Sequence, residues 1–466
     1  SLFESDIRLT NLTAQTMKYD LNFTPSGVDG TDVGSSTTIE VAPNATLALD
    51  DVVASMFGSG TVGSALGMLE IRPVTTSESS GGLFGSISSA AHQQIKTAAS
   101  SRTYNFTPNG TFGQYIPATP FSQFVGRDTI LSLQQVAQSK QFRANFGFLE
   151  AAGSPVELLV RVYDIANTLL ATIPVSLGAT QHRQINGMLQ SNGINDLADG
   201  RVEVEVVGGD GKVTAYVSEV DNATNDPLLV SPVVKGAVRA NRYVVPGMAY
   251  INTGSAFWVT DLRIFNAGTT ATPATLTFYP MGNPGAAMTR EISLEPGEIE
   301  VLNNVLVNTF GVNATSGGAI VVSTPEETAL TATARTYNQT SNGTYGQYIP
   351  GVTVADSVGI DDRALQILQV EQSTRFRTNI GLNETSGKPV TIEVALITPD
   401  QLATPVVTIG LQANEFRQIG LVDFAPPSAV YNGRVTVKVI AGEGKVTAYG
   451  SAIDAITQDP TYVPAQ

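Results

Sequence analysis

The amino-acid sequence predicts an all-β protein of four tandem β-sandwich domains arranged as two homologous pairs. Three observations carry this: a long internal repeat, strand-like alternation of apolar and polar residues, and turn signals roughly every 8 to 12 residues with few helical periods between them. A chain of 466 residues also exceeds one hydrophobic core, since cores stop growing near about 250 to 300 residues.

The repeat comes first because it sets the frame for every other element. "RTYNFTPNGTFGQYIP" from Arg102 to Pro117 returns as "RTYNQTSNGTYGQYIP" from Arg335 to Pro350, an offset of 233 residues (335 − 102). "FRANFGFLEAAGSPV" from Phe142 matches "FRTNIGLNETSGKPV" from Phe376, and "GKVTAYVSEVDNATNDP" from Gly211 matches "GKVTAYGSAIDAITQDP" from Gly444. Further upstream, "DIRLTN" at Asp6 matches "DLRIFN" at Asp261, now with an offset of 255 (261 − 6). The difference comes mainly from an inserted stretch at about 75–94, "TTSESSGGLFGSISSAAHQQ", expected to form a surface loop or short helix. The expected boundaries are 1–117, 118–232, 233–350 and 351–466.

Local pattern supplies the strands. "RVEVEVVGGDGKVTAY" sets Val202, Val204 and Val206 against Glu203 and Glu205, turns at Gly208 to Gly211 and resumes with Val213 and Ala215. A period of two is a strand with one buried face, and the Gly/Asp cluster supplies the positive φ of a hairpin turn. "RVTVKVIAGEGKVTAY" from Arg434 repeats the pattern, and "AIVVSTPEETALTATARTYN" from Ala319 does so with a longer turn. "LALDDVVASMFG" at Leu47 and "EVLNNVLVNTFG" at Glu300 are expected as short helices between strands. The Arg-Thr-Tyr-Asn phrase reads as a joint rather than an active site: it closes a strand, turns at "NGT" and leads out through "GQYIP". Proline fixes φ and favours an extended connector.

Composition excludes several functions. Asp and Glu number 41 against 26 Lys and Arg, a net charge of −15, so a phosphate backbone is repelled and nucleic acid is not an expected partner. No apolar stretch reaches the roughly 18 residues of a membrane helix. The start at Ser1, without Met or a signal-peptide core, is read as that of a mature, soluble product. Cysteine is absent, which removes disulfides, thiolate metal sites and cysteine nucleophiles. Ten Asn-x-Ser/Thr triplets mark candidate glycosylation sites of an exported chain: Asn11, Asn22, Asn44, Asn105, Asn109, Asn222, Asn313, Asn338, Asn342 and Asn383.

Candidate chemistry is sparse. Of the two histidines, His92 lies in the insertion and His182 has Phe416 as its counterpart, so neither reads as a catalytic base and the chain is not expected to be an enzyme. No catalytic residue, cofactor site or strong metal site is expected. Asp221 and Asp226 recur as Asp454 and Asp459; an oxygen-rich loop of this kind is a weak calcium candidate, against the stronger reading that Asp and Asn bond their own backbone at turns. The lone Trp258, beside Phe257, reads as core rather than a sugar platform.

The order "FWVTDLRIFN", "EPGE", "RTYN", "GTYGQYIP", "FRTNIGL", "GKVTAY" and "IDAITQDPTYVPA" resembles paired immunoglobulin-like modules of exported proteins from Acidobacteria and related bacteria. The resemblance covers nearly the whole chain and implies immunoglobulin-like sandwiches, export and an accessory or structural role. It brings no catalytic residues.

The domain starts differ. "YVVPGMAYINTGSA", "ILSLQQVAQSKQ" and "LQILQVEQSTR" each precede a later domain as an additional strand, whereas Ser1 directly precedes Leu2 and Phe3. A sandwich lacking its first strand presents an unpaired edge. The tail Asp459, Pro460, Thr461, Tyr462, Val463, Pro464 and on to Gln466 is expected to add to that edge in a neighbouring copy, building a head-to-tail filament. The expectation is therefore a non-enzymatic, secreted or cell-surface structural protein that self-associates. The alternative is a secreted adhesion or carbohydrate-binding module with a surface polysaccharide as partner.

Overall fold

A computed structural model describes residues 3–31, 35–58, 66–74, 96–108, 110–399, 404–424 and 429–466. It is all-β, with antiparallel sheets, no barrel and only short helices. The inserted stretch at 75–94, with His92, lies outside the described residues, as do Leu2 and Asn109.

Alternation produces the strands as expected. Val156–Tyr163 and Val390–Ile397 each bury every second residue, because successive side chains of a strand point to opposite faces. The short helices also form, at Val52–Phe57 and Val305–Asn308. Each is entered through a left-handed residue, Asp51 or Asn304, whose N–H is held by Asp6 (2.9 Å) or Asp261 (2.8 Å) in the strand beneath.

The turns are where expected, but the pairing is not. Gly209 takes φ of 80°, yet Leu197–Gly209 and Val213–Asp221 lie in different sheets. The Gly/Asp turn is an arch between two layers, not a hairpin. The same correction applies to Val430–Gly442 with Val446–Asp454, which lie in different sheets, and to Ser316–Thr328 with Leu330–Thr340, which never pair. A period of two reports which face is buried and is silent on the partner strand. Conversely, "GQYIP" stays in its sheet: Gly110–Pro117 pairs with Thr97–Thr107, and Gly343–Pro350 with Leu330–Thr340.

Sheets pack face to face over apolar cores. In the second region, Phe146 and Val217 of one sheet meet Val160 and Val204 of the other. The fourth region repeats this with Ile380 and Ala448 against Ile392 and Val437. In the third, the long strand Ala240–Asn252 bends from Ser316–Thr328 onto Phe257–Asn266, joining both layers into one nine-stranded sheet.

In three regions, one strand covers an edge of the long strand of its sheet: Ile130–Gln138, Ala240–Asn252 and Leu365–Gln372. Each buries apolar residues at i, i+2 and i+5: Leu131, Leu133 and Val136; Tyr243, Val245 and Met248; Leu365, Ile367 and Val370. Each also places a left-handed residue at i+4, with φ of 61° at Gln135, 74° at Gly247 and 55° at Gln369. In the first region the corresponding strand, Gly67–Pro73, pairs only with Met17–Pro25 among the described residues.

The four regions close on one another. The Gly27 N–H reaches the His182 carbonyl (2.7 Å). Arg201 crosses from the second region to the Gly297 carbonyl (2.9 Å), and Arg242 from the third to the Thr385 carbonyl (2.6 Å). Finally, Gln466 bonds the Ala99 carbonyl (2.8 Å) and Arg434 the Asn44 carbonyl (3.1 Å), returning to the first region. Arg201 and Arg434 occupy repeat-equivalent positions, but only Arg201 has an acid beside it, Glu203 at 3.0 Å, both nearly fully buried.

Without Arg201, Glu203 keeps Lys235 (2.6 Å) while the Gly297 carbonyl and Asn167 lose their donor, and weakening a buried ion pair together with its hydrogen bonds is costly. Arg201→Ala is expected to lower unfolding free energy by about 3 kcal/mol, and Arg434→Ala, which leaves the neutral Gln366 behind, by about 1 to 2 kcal/mol. Urea titration of the two variants checks both the order and the size.

Candidate functional site

The repeated phrases meet at one central joint, and they meet crosswise. Arg335 of the second copy lies over Phe142 of the first copy (4.8 Å) and its own Tyr337 (4.7 Å). Arg102 of the first copy lies over Phe376 of the second (4.7 Å) and its own Tyr104 (4.9 Å). A guanidinium on an aromatic face keeps a favourable contact while losing water. The Arg-Thr-Tyr-Asn phrase of one copy thus recognises the "FRANFG" or "FRTNIG" strand of the other copy, not that of its own.

The carboxylates sequence reading assigned weakly to calcium complete the joint. Asp221 accepts from the Thr344 N–H (3.0 Å) and hydroxyl (2.8 Å), and Asp454 from the Thr111 N–H (2.9 Å) and hydroxyl (2.8 Å). Asp226 accepts from the Gly346 N–H (2.8 Å), and Asp459 from the Gly113 N–H (3.0 Å). The other oxygen of Asp221 caps its own turn through the Ala223 and Thr224 N–H groups, and Asp454 does the same with Ile456 and Thr457. Burial pushes the Asp221 and Asp454 carboxyls up, but these donors outweigh it and hold both below the usual range.

Calcium binding is therefore not what Asp221 and Asp454 are arranged for, because N–H donors occupy the lone pairs a cation needs. Among the described residues no group of three or more His, Asp or Glu converges to hold a metal. Asp226 and Asp459 come from different copies and face each other at the centre, 3 % and 0 % exposed. Beside them a cleft of about 70 Å³ is lined by Tyr115, Leu228, Tyr348 and Tyr462, room for a few water molecules.

The remaining candidates separate clearly. His182 is buried, bonds the Tyr216 hydroxyl (3.0 Å), and burial pushes its imidazole down to about 4. Its ring stacks on Tyr216 at 6.1 Å as Phe416 stacks on Tyr449 at 6.4 Å, so the two share a packing role. Trp258 is half-buried rather than core. Asn11, Asn105, Asn338 and Asn383 are buried, and a buried amide is closed to glycosylation in the folded chain; Asn11 spends its amide on the Gln15 and Val41 carbonyls. Asn44, Asn222, Asn313 and Asn342 are exposed, and Asn22 is half-buried.

The expected assembly residues divide as well. Phe3 is 49 % exposed at the start of its strand. The tail is engaged within its own region: Pro460–Pro464 pairs with Val446–Asp454, and Val463 is buried. The equivalent Pro227–Val230 pairs with Val213–Asp221 in the same way. Sequence reading recognised the joint but not its crosswise pairing. The available signal was the matched spacing of Arg, Thr and Gly in one phrase with two Asp in another, repeated in both copies.

Neither a protein-family model nor a curated protein matches the chain.

The joint makes a separable prediction. Thr344→Val deletes a hydroxyl that donates to Asp221 and accepts from Arg335 (2.6 Å); the expected loss is about 1 to 3 kcal/mol. Combined with Asp221→Ala, the double variant should lose less than the sum of the singles by at least about 0.5 kcal/mol, measured by denaturant unfolding. Strict additivity would show that the two groups do not act together.

Proposed function

We propose that this chain is a non-enzymatic structural protein of the cell exterior, four immunoglobulin-like β-sandwiches in two homologous pairs, that joins to further copies by strand addition. The sandwiches correspond to 1–117, 118–232, 233–350 and 351–466. The first is completed by an extended strand from a neighbouring copy. The observation that carries this reading is the edge of Gly67–Pro73 that no described residue pairs, at the position filled by Ile130–Gln138, Ala240–Asn252 and Leu365–Gln372 elsewhere. An uncovered strand is a row of free N–H and C=O groups, and strand addition is its direct use.

A second observation supports a structural role. The duplicated Arg, Asp and Thr residues are spent on holding the sandwiches together, which suits a rigid unit rather than an open reaction site. The acidic balance and the exposed sequons fit an exported location. The tail is not the donor in this proposal, because its backbone is already paired in its own sheet. The fitting strand has the grammar of the three residents, apolar at i, i+2 and i+5 with a left-handed residue at i+4.

A peptide copying Ala240–Asn252 is the probe. It should bind the purified chain one to one and raise its melting temperature, whereas the same peptide with Asp in place of Val245 and Met248 should not. Electron microscopy of the protein at high concentration should show linear assemblies that the first peptide shortens. Monodisperse single particles that take up neither peptide would reject strand addition.

A further inference from the structure

We infer that Asp226 and Asp459 share one proton across the centre of the molecule, and that this proton clamps the two halves of the chain together, so that the joint loosens in alkaline solution. The inference stands apart from the assembly proposal and rests on donor accounting. Each carboxyl has one oxygen filled by a glycine N–H, Gly346 for Asp226 and Gly113 for Asp459. The second oxygen of each is buried and meets no N–H or O–H donor elsewhere among the described residues. The two carboxyls are themselves within hydrogen-bonding reach of each other. Two bare acceptors facing each other in a buried site repel, whereas a proton on one turns the repulsion into an O–H···O⁻ bond, the stronger charge-assisted kind.

The surroundings favour that proton without removing the remaining charge. Arg335 and Arg102 face the pair from the two Arg-Thr-Tyr-Asn strands and favour a carboxylate. Asp221 and Asp454, from the strands that end at the joint, and Tyr345 from Gly343–Pro350 complete the ring of charged and titratable groups. Burial raises both carboxyls, Asp226 to about 8 and Asp459 well above its usual value, and the Asp226 charge adds to the rise at Asp459.

The direction of the pH dependence follows. In the unfolded chain both groups ionise near their ordinary value of about 3.9. From there up to the alkaline pH at which the pair gives up its last proton, the native joint holds one proton more than the unfolded chain, so the folding equilibrium should fall about tenfold per pH unit over that interval. Above it the native pair is doubly charged and the clamp is gone. Glu219, buried and pushed up to about 7, titrates in the same window, so the comparison must be with a variant that removes only the pair.

The experiment is a pH series from 5 to 10 on the whole protein and on D226N/D459N, in which neither group titrates. In the intact protein, amide exchange of 110–117 and 343–350, corrected for intrinsic rate, should rise at the alkaline end of the series, and the folding equilibrium should show the tenfold slope below that rise. In the double variant both dependences should shrink to the part owed to other groups. The protonated-carboxyl infrared absorption of the intact protein at pH 7 should be larger than that of the double variant, in which Glu219 remains. If that variant does not fold, D226N, whose amide can donate to Asp459, serves for the infrared comparison. Equal bands in the two proteins, or exchange at the joint that is flat from pH 5 to 10, would overturn the shared proton.

Discussion

Everything central in this molecule depends on satisfying the backbone of two edge strands that are buried instead of wet. Gly110–Pro117 and Gly343–Pro350 lie at the edges of their sheets, so alternate N–H groups point outward, and burying such groups without partners is costly. Among the described residues no strand arrives to pair with them. Asp side chains do so instead, one at the Thr N–H and one at the Gly N–H two residues on. In an extended strand those groups recur about every 7 Å on the same edge. The two Asp of each partner match this because they flank a turn: the Asp221 N–H bonds the Asp226 carbonyl and the Asp454 N–H the Asp459 carbonyl, which places both side chains side by side. Glycine at 113 has a reason of its own, as a Cβ there would lie 2.5 Å from the Thr103 carbonyl oxygen.

Duplication explains why the arrangement closes. A contact between two different patches propagates unless the rotation between the units closes it, and a two-fold rotation closes it after two steps. Here the first copy offers Asp221 and Asp226 to the second copy's hairpin, and the second offers Asp454 and Asp459 to the first's. The fused pair behaves like a two-fold dimer with a covalent link, and two residues at equivalent positions must face each other on the axis. Asp226 and Asp459 are those residues. Symmetry, not sequence proximity, brings like charge to like charge.

The fold class was readable because alternation and repeats are local signals, and the short helices because their left-handed entry residues and apolar spacing are local too. Strand pairing was not: "RVEVEVVGGDGKVTAY" looks the same whether its turn folds back within a sheet or arches to the facing one, since both bury the valine face. The joint was half readable. Asp before Pro and Asn-Gly-Thr announce turns, and nothing in either phrase says that one turn's carboxylates will cap the other's strand more than a hundred residues away. The sequons misled for a related reason, as the Asn of "DIRLTN" ends a strand by bonding buried carbonyls, a role the triplet does not disclose.

The edge of Gly67–Pro73, unpaired among the described residues, follows from the same symmetry. Gln466 pairs with Gln366 as the equivalent Val233 pairs close to Ser132, and Phe3 stands where Trp258 does, opposite Asn105 and Asn338 respectively. In the middle of the chain the stretch from Val234 to Phe257 runs between those two places and lays Ala240–Asn252 along the third region's long strand. Nothing among the described residues takes that path over Gly67–Pro73. Among the described residues the first region's contiguous core is centred on Leu9, Tyr19, Val41 and Ala99, where each other region gains three buried side chains from the covering strand. A strand arriving there would add backbone pairing and core packing at once, and the left-handed residue at i+4 would keep its last apolar side chain on the inner face after the bulge. That requirement makes the edge selective: an alternating strand without the bulge would turn its last apolar residue outward.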